Sequence, residues 1–151
     1  MRIVICKKEV LFDVMNKSHE EVAGIEDAEA RYRIEAGEHK MNELERDLAE
    51  VSTKLARRVH RYLDEYYEQE ADNSLSLPEA FVYEFTFSER RMVGKAQPLA
   101  DAMHSFLVHY TLAKFYASVS QTELSNNHSK FTQEAMSDIE ELINTKAAPL
   151  I

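Results

Sequence analysis

The chain has 151 residues and carries 18 lysines and arginines against 27 aspartates and glutamates, a formal charge of −9. That balance disfavours a nonspecific grip on nucleic acid or on an anionic membrane. Its single cysteine, Cys6, excludes an internal disulfide and lacks the spacing of a zinc or redox motif; it reads as a packing residue of an intracellular protein.

The opening MRIVICKKEVLF is too short an apolar run for a signal peptide, and no later run approaches the ~18 apolar residues that span a bilayer. A soluble, cytoplasmic protein is expected. Residues 1–151 form one domain by length, enough to bury roughly 70% of the surface the unfolded chain exposes. Three glycines, three prolines and no tryptophan point to long regular elements with few tight turns.

Met1 to Cys6 alternates enough to be a short strand, although the start of a frayed helix also fits. From Lys7, residues Val10, Leu11, Val14, Met15, Ser18 and Val22 fall on one helical face, so a helix runs to about Ala23, with Gly24 as its stop. The longest element follows: Met41, Leu44, Leu48, Val51, Leu55, Val59, Tyr62 and Tyr66 recur at spacings of three and four. One straight helix from Ile25 to Glu70 would be about 70 Å long at ~1.5 Å per residue, so either the protein is elongated or the helix breaks around Ala36 to His39, at Gly37.

Ala71 to Glu79 is a polar loop, and Pro78 biases Leu77 toward an extended conformation. The run FVYEFTF then reads as a strand with Phe81, Tyr83, Phe85 and Phe87 on one face and Val82, Glu84 and Thr86 on the other. After the connector SERRMVGKAQ, a helix from Pro98 to about Ser120 is apolar nearly all round and should be the most buried. TELSNNHS reads as a loop, a last helix spans about Ser129 to Lys146, and Pro149 leaves residues 147–151 as a tail. The expected fold is a mostly α helical bundle with a long charged helix and a minor two-stranded β element, residues 1–6 and 81–87.

Chemical candidates are few. Asp101 and His104 form one i,i+3 pair, but a di-metal carboxylate bundle needs two such pairs and none repeats. His104 and His109 lie roughly 140° apart around a helix and cannot easily share an ion. Phosphate-binding, nucleophile-elbow and zinc-protease motifs are all missing, so no cofactor, metal or catalytic residue is assigned. The basic run KLARRVHR sets Lys54, Arg58 and Arg61 along one stripe, suited to a phosphate backbone or an acidic protein, or simply to solvent beside the pairs Glu50–Lys54 and Arg61–Glu65. Arg90, Arg91 and Lys95 follow the strand, where cations also discourage edge-to-edge aggregation.

A lone strand leaves backbone groups unpaired at a cost on the order of 1–3 kcal/mol per buried group. Pairing FVYEFTF with residues 1–6 satisfies one edge; the other is open to a second molecule by strand addition. The layout of an apolar start, FVYEFTF, PLADAMHSFLVHYTLAKFYASV and a final helix resembles small helical proteins encoded among the structural genes of tailed phages and prophages. The resemblance covers mainly Phe81 to Lys146, HSFLVHYTLAKFY most closely, and implies a role in virion neck or tail assembly in a bacterial host.

The expected function is thus that of a noncatalytic assembly or adaptor protein. Its partner would be another protein or a second copy, with no membrane and no nucleic acid, and its interface would comprise Met41, Leu44, Leu48, Val51, Leu55, Thr86, Arg90 and Arg91. The alternatives are a bacterial helical protein-binding regulator and a helical metal-dependent enzyme centred on Asp101 and His104.

Overall fold

The computed structural model describes residues 1–144; the expected tail, residues 147–151, lies outside the described residues. Strand β1 (Arg2–Cys6) leads directly into helix α1 (Lys7–Val22). A short helix, α2 (Ala28–Ile34), precedes α3 (Met41–Arg58). Strands β2 (Leu63–Gln69) and β3 (Ala80–Phe85) form a hairpin, followed by α4 (Ala96–Ser118) and α5 (Thr122–Asn144). The protein is mostly helical, with five α-helices and one small antiparallel sheet among the described residues.

Helix α4 is the axis of the molecule. It buries Met103, Phe106, Leu107, Val108, Leu112, Phe115 and Tyr116 on several faces, so it must be covered on all of them. Side-chain pairs show how. Asp13 meets His104 and Ser18 meets Tyr116, which runs α1 parallel to α4. Glu43 meets Ser118 and Lys54 meets Tyr110, which runs α3 antiparallel to it. Ser125 Oγ donates to the Ala113 carbonyl and His128 meets His109, which sets α5 antiparallel as well. The sheet covers a further side, β1 touching both α1 and α4.

Residues 25–70 are not one helix, and the break falls within the expected span Ala36 to His39, so the long charged helix of the expected bundle is replaced by α2 and α3. It breaks where Gly37 stands: the Ala36 N–H leaves the helical pattern to donate to the buried Ser18 Oγ at 2.8 Å, pinning the break to α1. It also ends at Arg58. The three-and-four spacing of Val59, Tyr62 and Tyr66 continues by coincidence, because Leu63–Gln69 is a strand. Pairing with β3 wins over helix there, with the Tyr66 ring tilted against Tyr83 at 5.0 Å across the strands.

The sheet therefore has three strands, in the order β1-β3-β2, rather than two. Phe81, Tyr83, Phe85 and Phe87 are buried as the alternation requires, but so is Val82, because a central strand has neighbours on both sides, here Val4 and Tyr67. No edge of β3 is spare. The Thr86 N–H donates to the Tyr62 carbonyl at 2.8 Å, and the edges belong to β1 and β2.

TELSNNHS is not a loop either. The turn between α4 and α5 is complete by Gln121: Ser120 takes the left-handed conformation at φ 61°, and the Gln121 N–H reaches the Tyr116 carbonyl while Ser120 N–H reaches Ala117. Those two bonds close a Schellman cap, so α5 begins at once.

Replacing Phe85, 2% exposed and stacked on Phe87, by alanine is expected to cost about 3–5 kcal/mol in urea denaturation, as large-to-small core changes do. A loss below about 1 kcal/mol would place that ring outside the core.

Candidate functional site

Two features stand apart from the packed core. The first is a cleft of about 520 Å³ where α3, α4 and α5 diverge. Its floor comes from α4 and α5, with Phe106, Tyr110, Ala113 and Met136; Ser129, Thr132 and Gln133 form a polar wall on α5. The opposite wall is the last turns of α3, bearing Lys54, Arg57 and Arg58.

Lys54 is engaged by neighbouring side chains, whereas the two arginines have no ion-pair partner among the described residues. Glu50, the i−4 neighbour of Lys54, lies 3.9 Å away and is taken by Lys114 at 2.5 Å, a hydrogen bond that holds its carboxyl below the ordinary range. The Lys54 ammonium instead rests 3.2 Å from the Tyr110 hydroxyl and 5.2 Å from the centre of its ring. Arg57 and Arg58 are exposed and have no ion-pair partner among the described residues. Exposed guanidinium groups beside an apolar floor suit carboxylates attached to something apolar. Arg61 is not in the wall, since α3 ends before it, and the expected Arg61–Glu65 pair is lost with the helix.

The second feature is a part-buried relay between α1, α4 and α5, centred on the buried His128. His128, 3% exposed, faces both carboxylate oxygens of Glu21 through Nε2 at 2.8 Å and His109 through Nδ1 at 2.9 Å. A carboxylate only accepts, so the His128 Nε2 carries a proton, and at the Nδ1···Nδ1 contact one ring donates and the other accepts. The Tyr116 hydroxyl donates to Ser18 and reaches Glu21 at 3.3 Å, its pKa raised chiefly by burial. The His109 ring also packs against Phe131. The relay is closed by its own partners and ties three helices together.

The expected interface residues are mostly elsewhere employed. Leu44, Leu48, Val51 and Leu55 are at most 1% exposed and face the chain's own core, where Met41 joins them at the margin. The heptad that suggested a free helix face is the seam between α3 and the rest of the molecule. Thr86 is exposed but its N–H is bonded within the chain; Arg91 donates to the Ile143 carbonyl and lies over the Phe87 ring, while Arg90 is exposed.

The pair Asp101–His104 is not formed: Asp101 accepts from Gln97, and His104 meets Asp13 at 2.6 Å. Among the described residues no three ligating side chains converge on a metal position. The cleft was half legible, since KLARRVHR drew attention to its cations; its floor, drawn from α4 and α5 far along the chain, was not. The Glu21–His128–His109 relay was missed because its members share no sequence spacing. No family model, no curated protein and no solved structure matches this chain.

The relay generates a pH dependence. Burial, then the charges of His128 and Lys17, pulls His109 down to about 4. Unfolded, it protonates near its ordinary ~6.5, so the unfolded chain binds more protons between these values and stability falls as pH drops through that window. In urea titrations at pH 7, 5.5 and 4, His109→Gln is expected to lose less stability on acidification than the wild type. Parallel losses would show that His109 does not drive the effect.

Proposed function

We propose that the protein is a noncatalytic, cytoplasmic adaptor or assembly protein that holds another protein through the cleft between α3, α4 and α5. One observation carries this reading: in a chain of net charge −9, Lys54, Arg57 and Arg58 line an apolar-floored cleft, and the two arginines have no ion-pair partner among the described residues. A cationic face meant only for solvent needs no apolar floor. A floor of Phe106, Ala113 and Met136 offers burial at about 25 cal/mol per Å², and the cations set which partner enters.

The occupant is an acidic protein segment presenting an apolar side chain. Nucleic acid fits less well, because a molecule of net charge −9 with so small a basic site repels a long phosphate backbone. The resemblance of Phe81 to Lys146 to phage and prophage structural-gene products supports the same reading, with virion neck or tail assembly as its setting.

Selection of displayed peptides on the wild type is expected to enrich sequences in which acids flank an apolar residue. The double variant Arg57→Glu/Arg58→Glu is expected to bind them at least about tenfold more weakly. Absence of enrichment, or equal binding to the variant, would overturn the proposal.

A further inference from the structure

The chain itself carries a segment of the chemistry that the cleft would accept. Residues 64–79 contain Asp64, Glu65, Glu68, Glu70, Asp72 and Glu79 and no base. At the tip of the β2–β3 hairpin, Leu75 is 67% exposed, with Leu77 exposed beside it. Exposed apolar side chains elsewhere are placed differently. Phe131 packs on His109 and Tyr32 on His39; Phe12 lies along helix α1 with Lys8, Glu9, Asp13 and His104 around it rather than at the end of a projecting turn, and Val93, the most exposed of these, sits among Arg90, Arg91 and Lys95.

The tip is also built. Asp72 and Leu77 exchange both backbone hydrogen bonds, at 3.0 and 2.9 Å, and Asp72 Oδ1 accepts from the N–H and the hydroxyl of Ser74. Ser76 completes the turn in the left-handed conformation. A knob held in this way has less conformational entropy to lose on insertion than a free loop.

We infer that the Asp72–Leu77 tip of one copy enters the α3–α4–α5 cleft of a second copy. This rests on the cleft reading above and names its occupant. Leu75 meets the floor of Phe106, Ala113 and Met136, and Glu70 and Asp72, the carboxylates beside the tip, face Arg57 and Arg58, while Glu68 and Glu79 stay paired with Lys7. The contact is between molecules, because no residue of the hairpin lines the cleft of its own molecule. A contact between unlike surfaces can repeat from copy to copy, which is what an assembly protein requires.

The test is sedimentation velocity of the full chain from about 1 μM to about 1 mM. The wild type is expected to associate as concentration rises, and less so as salt screens the contact. Leu75→Ser, at an exposed position, should weaken association roughly tenfold or more through lost apolar burial, and Arg57→Glu/Arg58→Glu should abolish it. An equimolar mixture of the two variants should recover association through the single intact junction, the cleft of one and the tip of the other.

A wild type that stays monomeric throughout overturns the inference, as does association unchanged in both variants or a mixture that recovers nothing. If the wild type is monomeric yet selected acidic peptides still bind in an Arg57- and Arg58-dependent way, the second copy is excluded and the cleft reading stands. If those peptides also fail, both fall.

Discussion

The fold answers one main constraint: α4 carries large apolar side chains on several faces, and each of those faces needs cover. A helix of that kind needs neighbours all round, and a chain of this length provides α1, α3, α5 and a sheet. The tight cap at Ser120 and Gln121 folds α5 straight back along α4, and the sheet covers a further side through β1. Hydrophobic burial supplies the main driving force, but it is not directional and does not by itself choose between registers.

Buried polar contacts make that choice. Ser18 receives both the Ala36 N–H and the Tyr116 hydroxyl, so the break after α2, helix α1 and helix α4 meet at one oxygen. Ser52 holds the hydroxyls of Tyr66 and Tyr83, fixing α3 against two strands of the sheet. The Glu21–His128–His109 relay locks α5 against α1 and α4. Each would leave costly unpaired groups if its helices slid by a turn, which is how a few hydrogen bonds specify an arrangement that apolar area alone leaves degenerate.

Charge is distributed to a different end. The chain as a whole carries a net charge of −9, while the end of α3 keeps three cations beside an apolar-floored cleft, and the acid-flanked hairpin tip does not line that cleft. Because the molecule as a whole is strongly negative, it does not steer an acidic partner from a distance; complementarity acts only at contact, within the ~8 Å over which charges are felt in physiological salt.

The residues alone determined the helical class, the burial of Phe81, Tyr83, Phe85 and Phe87, the central position of α4 and the break at Gly37, because each follows from periodicity or local conformational cost. They also marked KLARRVHR as unusual. Tertiary structure decided the rest. Leu63–Gln69 continues a helical spacing and becomes a strand only because β3 lies beside it, and the heptad of α3 has the same pattern whether it faces a partner or its own core. The cleft and the histidine relay join residues from separate elements, and no spacing along the chain encodes a distance between helices that only packing sets.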